Sequence, residues 1–238
     1  DYKINNYDYV ISNCEYFVKP YAQAFHVKEE QVMVTGIPKT DRLFHKRKIE
    51  KDRNAMYKQY PELKGKKVVL YAPTFRGRLM QGFRDGQVNL DKIIEQLGDE
   101  YVILYKMHPL LADKTIDTHH HVICCNGMSI KKLFSVTDVL ISDYSAIIFD
   151  FSVFDKKMVF YVPDIEEYAK SPGFFVNYEQ EMPGAICTSE QAVVDAIQAE
   201  DEYQEKRKAF RDKFFAYQDG KSIKRVVALI DQIMGGKL

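Results

Sequence analysis

His108, Ser142, Asp143 and Ser145 are the residues whose types and placement could do chemistry. His108 ends the apolar run YVILYKM and is followed by Pro109, which prevents a helix from continuing and keeps the imidazole at a strand end rather than in the core. An imidazole placed there suits proton transfer, or stabilisation of charge growing on a phosphoryl oxygen. A solitary histidine is more often structural, so its neighbours decide. Ser142-Asp143-Tyr144-Ser145 runs straight into AIIFDF, which predicts a helix starting close to Ser145. Free N–H groups and the positive dipole end at such a start favour a phosphate, and a diphosphate fits. The same side chains could instead cap the helix, and the two roles are compatible. Arg76, on a glycine-containing loop, could fork onto phosphate oxygens, although most single arginines are surface residues.

Other features imitate sites. His119-His120-His121 and Cys124-Cys125 look metal-like, but consecutive residues point different ways, and one cysteine of a strand pair faces the core. No metal site is expected. Gly82 and Gly86 with their basic neighbours match neither a phosphate-binding G-x-x-x-x-G-K-[ST] loop nor a dinucleotide fingerprint. Tyr161, Tyr168, Phe174, Phe175 and Tyr178 read as packing residues.

The elements that must position His108 and the serine loop are legible as alternation. From Lys66 the chain reads KVVLYAP, NLDKIIEQLG, YVILYKMHP, HVICC, SIKKLFSVT, DVLISDYS, AIIFDFSVF and KMVFYVPD. Short, continuously apolar, β-branched runs separated by helices are what a parallel sheet buried on both faces requires, so the expected fold is a Rossmann-like, doubly wound α/β domain. In such sheets ligands bind beyond the carboxyl ends of the strands. Pro73, His108 and Ser145 should therefore share one rim. Before this domain, Tyr7 to Ile11 and Gln31 to Thr35 read as strands around a helix from Glu15 to Phe25, and the charged stretch from His45 to Lys58 as a solvated helix. After it come three helical patterns, EQAVVDAIQ, EYQEKRKAFRDKFF and SIKRVVALIDQIM, the last opened by Asp219-Gly220-Lys221-Ser222 as turn and N-cap.

Composition bounds the partners. Of 238 residues, 46% are hydrophobic and 13% aromatic, which is an ordinary folded composition. The 34 basic and 34 acidic residues cancel, so no global field holds the chain on nucleic acid or an anionic membrane. Four cysteines without C-x-x-C spacing point to a reducing cytosol. No apolar stretch approaches the roughly 18 residues of a membrane span. Membrane contact, if any, is peripheral. The first residues are not a signal peptide, and their early run into an apolar segment predicts that an upstream portion is missing.

In order, YAPTFRG, KMHP, SDYSAIIFDF, FYVPD, Tyr168, PGFF and DGKSIKR resemble the C-terminal half of the CDP-glycerol glycerophosphotransferase family, and Gly36-Ile37-Pro38-Lys39-Thr40-Asp41 resembles the segment joining its halves. The resemblance implies the C-terminal lobe of a GT-B-type two-lobed transferase, with residues 1–40 the end of the acceptor-side lobe and linker and residues 41–238 the CDP-donor-binding lobe. It implies transfer of glycerol phosphate, or a related polyol phosphate, from a CDP-activated donor to a polymer or lipid-linked hydroxyl, releasing CMP. No cofactor is implied beyond the CDP-polyol donor substrate, and the implied location is cytoplasmic, peripheral at the inner face of the membrane.

By the same resemblance His108 is the catalytic histidine of this lobe. Arg76, Ser142, Asp143 and Ser145 lie at the diphosphate, and Asp219, Gly220, Ser222 and Arg225 match the late D-G-x-x-x-x-R segment. Two departures stand out. The family's second histidine, the proposed base, has no counterpart in the chain, so donor binding without turnover is expected of this chain alone. Ala146 stands where many members have a second serine. The rival readings are a sugar-nucleotide glycosyltransferase of the same architecture, which releases a nucleoside diphosphate instead of CMP, and a non-catalytic nucleotide-binding module.

Overall fold

The computed structural model describes residues 7–74, 76–78, 82–84, 88–108, 120–170, 173 and 176–235, with residues 76–78 and 82–84 described as backbone. In chain order the elements begin with β1 (Val10–Ser12), α1 (Val18–Phe25), β2 (Val32–Val34) and α2 (Lys46–Gln59). Next come β3 (Lys67–Tyr71), the short strands β4 (Arg76–Arg78) and β5 (Gly82–Arg84), α3 (Leu90–Leu97), β6 (Tyr101–Tyr105) and β7 (Val122–Cys124). They are followed by α4 (Ile130–Phe134), β8 (Val139–Ser142), α5 (Ile147–Ser152), β9 (Lys157–Tyr161), α6 (Ile165–Lys170) and α7 (Tyr178–Glu181). The chain ends in β10 (Ala185–Cys187), α8 (Glu190–Gln198), α9 (Gln204–Phe214) and α10 (Ser222–Ile233). Contacts group these into two units, Asp1–Lys48 with Lys208–Leu238, and Ile49–Arg207.

The larger unit is built on a six-stranded sheet of order β7-β6-β3-β8-β9-β10, every neighbouring pair parallel. From β3 the chain winds outward through β6 to β7, returns to β8 on the other side of β3, and winds outward again through β9 to β10. This is the doubly wound order expected from the alternation, and its direction reverses between β3 and β8, the crevice where such sheets take ligands.

Local sequence explains the elements. In α3 the buried residues Leu90, Ile93, Ile94 and Leu97 recur at helical spacing, and Asn89 caps the start by accepting the Lys92 N–H at 3.0 Å. Burying each of these aliphatic side chains is worth about 1.5–3 kcal/mol. They pack with α8 residues Val193, Val194 and Ile197 over one sheet face, against Val69, Tyr71, Ile103, Tyr105 and Ile141. The alternate residues Val68, Leu70, Val102, Leu104, Leu140 and Phe160 are buried too, so both faces are covered and the strands are apolar throughout. The β4–β5 hairpin, β10, α6 and α7 are three to six residues long, too short for a periodic signature.

In the smaller unit β1 and β2 pair in parallel, Val10 opposite Val32. The helix expected from Glu15 begins as a 3-10 turn, Glu15–Phe17, before α1. Aromatic side chains tie its chain ends together: Phe214 lies against Tyr16 and Phe17, with ring centroids 5.4 Å apart in both cases, and Phe44 against Phe215 at 6.1 Å. Asn13 donates its side-chain N–H to the Phe214 carbonyl and accepts the Ala216 N–H at its own carbonyl.

Candidate active site

Because all six strands are parallel, β3, β6 and β8 end on the same edge, and they are neighbours. The serine loop after β8 is bolted to the chain leaving β3 across the switch point. Ser142 Oγ donates to the Ala72 carbonyl at 2.8 Å, and the Asp143 carboxylate accepts the Thr74 N–H at 2.9 and 3.1 Å. The Tyr178 hydroxyl donates to the Asp143 carbonyl at 2.9 Å. Ser142 and Asp143 are buried, so their side chains hold two strand exits in register and face inward. Tyr144 stacks on Tyr168 with centroids 3.7 Å apart and donates its hydroxyl to Asp164.

Ser145 is half-buried, two residues before α5. Its Oγ accepts the Ile147 N–H at 3.5 Å, the outer limit of a hydrogen bond, and Ala146 occupies the N-cap position without a side-chain cap. Of the loop's three predicted polar residues, Ser145 is the one that a stronger fold contact does not occupy. The helix it precedes spans six residues, so the AIIFDFSVF run is helical over only part of its length.

His108 leaves β6 half-buried, three residues beyond the last strand position. The segment before it is anchored on both sides. The Lys106 N–H donates to the Tyr71 carbonyl of β3 at 2.9 Å, and the Met107 N–H donates to Asn126 Oδ1, beyond β7, at 2.9 Å. Lys106 Nζ donates to the Asn126 carbonyl at 2.8 Å. Burial pulls the Lys106 ammonium below its ordinary pKa, and burial pushes Cys125 up to about 12. Cys125 is therefore a packed, neutral thiol. Arg76 opens β4, paired with Arg84 of β5, and its side chain lies outside the described residues, as do Pro109, His119, Phe174 and Phe175. Among the described residues no group of three or more His, Cys, Asp or Glu side chains is arranged to hold a metal ion.

Asp219, Gly220, Ser222 and Arg225 belong to the smaller unit and form one cluster there. The Arg225 guanidinium grips the Asp219 carboxylate with two bonds, 2.8 and 3.0 Å, donates Nε–H to the Thr35 carbonyl at 2.8 Å, and lies 3.7 Å from the Tyr217 ring centroid. The hydrogen bonds from Arg225 hold the Asp219 carboxyl at a pKa of about 2. The turn before α10 does not supply the N-cap expected of it. Lys221 sits at the cap position with no side-chain bond, and Ser222 is the first helical residue. The cap is Asp41, whose two carboxylate oxygens accept the Ser222 and Ile223 N–H groups at 2.8 and 2.9 Å. Burial alone would raise the Asp41 pKa. The amides of Ile223 and Ser222, the Ser222 hydroxyl and the charge of Arg225 outweigh it and lower the value. Gly36, at φ +76°, is required by the same contact, because a Cβ there would stand 2.4 Å from Ser222 Oγ. Gly220, at φ +66°, leaves a Cβ only 3.1 Å from the Asp41 carbonyl and from Phe44.

Asp41, Thr74, Asn126 and Tyr178 were not singled out as site residues from sequence. Asp41 stood in the GIPKTD segment and Thr74 in YAPTFRG, so a signal existed for both. Asn126 and Tyr178 carried none, since an isolated Asn-Gly reads as a turn and a tyrosine as packing.

Fold and rim together define a Rossmann-like α/β lobe whose polar residues gather at the switch point. The chain belongs to the CDP-Glycerol:Poly(glycerophosphate) glycerophosphotransferase family, whose model matches residues 1–232. It is similar to the teichoic acid ribitol-phosphate polymerase TarL of Staphylococcus aureus, 39% identical over 217 residues that cover 87% of this chain and 38% of that protein. It is also similar to the teichoic acid glycerol-phosphate transferase of the same organism, 33% identical over 235 residues that cover 94% of this chain and 60% of that protein. The solved wall teichoic acid polymerase TagF superposes with a TM-score of 0.80 at 30% identity, over 97% of this chain and 59% of that one. The chain thus spans about 38% to 60% of the length of these relatives.

Proposed function

We propose that this chain is the donor-binding part of a polyol phosphotransferase that moves glycerol phosphate, or a related polyol phosphate, from a CDP-activated donor to a hydroxyl of a teichoic-acid-like polymer or lipid-linked acceptor. The observation that carries the reading is the bolting of the serine loop to the Ala72–Thr74 exit at the switch point, one strand from His108, in a member of this family. The acceptor oxygen attacks the donor's β-phosphorus as the bond from that phosphorus to the CMP oxygen breaks. The acceptor proton leaves to a base on the acceptor-side lobe, to which residues 1–40 belong in this reading. Residues 41–238 form the donor side. Positioning and fixed donors supply most of the rate in such a transfer, and His108 as imidazolium, Ser145 with its neighbouring amides, and Arg76 meet the growing charge. Arg225, Asp219, Gly220 and Ser222 keep the late D-G-x-x-x-x-R segment in shape. The donor diphosphate is held without a metal or other cofactor.

Relatives named for ribitol phosphate and for glycerol phosphate match the chain at similar identity, so donor choice is left to the experiment. No helix among the described residues is long and apolar enough to cross a membrane. In this reading the enzyme works in the cytoplasm, at the inner membrane face. The test is incubation of the full-length protein with CDP-glycerol or CDP-ribitol and an acceptor while CMP is followed. Acceptor-dependent CMP release with one donor is expected. Release of a nucleoside diphosphate from a nucleotide sugar instead would overturn the reading.

A further inference from the structure

We propose that Asn126 is a positioning residue for His108, an inference that rests on the catalytic reading of His108 given above. The β6–β7 ladder ends at Tyr105 opposite Cys124. Beyond that point the two chains would be free to splay, yet three bonds continue the pairing. The Cys125 N–H donates to the Tyr105 carbonyl at 2.8 Å, the Met107 N–H to Asn126 Oδ1 at 2.9 Å, and Lys106 Nζ to the Asn126 carbonyl at 2.8 Å. One residue therefore grips both positions immediately before His108, with its side chain and its backbone. On the opposite flank the Lys106 N–H is held by Tyr71 of β3 at 2.9 Å, and the Met107 side chain is 2% exposed. Asn126 itself is half-buried and belongs to no strand.

An amide acceptor is suited to the place. It takes the Met107 N–H through its carbonyl oxygen, an acceptor that an aspartate of the same length would also supply and a shorter side chain would not place across the gap. With its backbone fixed on the N-terminal side, His108 presents its imidazole from a defined origin, and a displacement of about 1 Å at a reacting group costs up to about 100-fold in rate. Asn126 touches neither donor nor acceptor in this account; it acts through His108.

The experiment is a double-mutant cycle in the full-length protein, with kcat and the KM for the CDP-polyol measured for Asn126→Leu, Asn126→Asp, His108→Ala and the Asn126→Leu/His108→Ala pair. Asn126→Leu is expected to lower kcat by about 10- to 100-fold with KM changed by less than about threefold. Asn126→Asp keeps an acceptor for the Met107 N–H and should recover most of the loss. In the His108→Ala background, Asn126→Leu should cost less than about threefold more, because partners that act as a unit are not additive. Melting curves accompany each form, and if the leucine form does not fold, Asn126→Ser takes its place with the same expectations. A kcat within threefold of the parent for Asn126→Leu, or a full additive loss in the double variant, overturns the proposal while leaving His108 in its role. Normal turnover by His108→Ala overturns the underlying reading of His108, and the positioning role with it.

Discussion

Asp41 caps a helix that begins 181 positions later in the chain, its carboxylate accepting the N–H of Ser222 at 2.8 Å. A cap from so far away does for α10 what a local serine does for α8, where Ser189 accepts the Ala192 N–H. Because Asp41 is buried and makes two charge-assisted bonds, Asp41→Ala should lower stability by about 2 kcal/mol, at the upper end for helix caps. Asp41→Asn, which keeps one acceptor oxygen, should lose less. Urea unfolding of the two variants gives the comparison, and equal losses would show that a single neutral acceptor oxygen does not sustain the cap.

Asp219 supplies a pH signature for the same cluster. Its folded pKa of about 2 lies below the ordinary value of 3.8, so its pairing with Arg225 contributes stability in full above that ordinary value. The contribution drains as pH falls from there through about 2, where the folded carboxyl itself takes up its proton. Carboxyl-carbon NMR titration should place the Asp219 midpoint near the lower figure, and Arg225→Gln should return it towards 3.8. A parent midpoint already near 3.8 would mean that the two-bond grip does not persist in solution.

Tyr178 offers a cleaner probe of the serine loop than any residue in it. Tyr178→Phe removes only the hydroxyl that donates to the Asp143 carbonyl and leaves the ring in place against Phe160 and Tyr144. Leaving that carbonyl without its partner should cost about 1–2 kcal/mol. Donor affinity should fall modestly, since the loop keeps its bonds to Ala72 and Thr74. Thermal melts and CDP calorimetry read the two effects separately; unchanged melting would show that water replaces the hydroxyl at no cost.

His108→Ala in the full-length protein should lose about 100-fold or more in turnover while CDP-polyol affinity stays within about threefold. A charge that grows in the transition state engages the imidazolium more than the bound donor does. CDP binding by calorimetry, run in excess chelator, should give the same affinity as without it. Binding that vanishes with the chelator would reject a metal-free diphosphate site.

The sheet was legible because its strands are apolar in unbroken runs and its helices carry their own punctuation. EQAVVDAIQ is α8 to the residue, and KVVLY and YVILY are β3 and β6. The gathering of Pro73, His108 and Ser145 on one edge followed from parallelism alone. The cap on α10 was not legible, since Ser222 satisfies every local rule for an N-cap and the residue that does the work stands near the other end of the chain. Asn126 escaped for a related reason: its bond to Met107 joins two loops whose spacing no periodicity encodes.

The pairing of chain ends in the smaller unit also sets an order of events during synthesis. Asn13 waits for Phe214, and Asp41 for Ser222, while everything from Ile49 to Arg207 is still emerging. A chain made from its N-terminus can complete the six-stranded sheet before any of these contacts exists. β1, α1 and β2 must remain without these partners until residues 208–235 have been made, so a polypeptide stopped before Lys208 contains the whole six-stranded sheet and none of the residues that close the smaller unit.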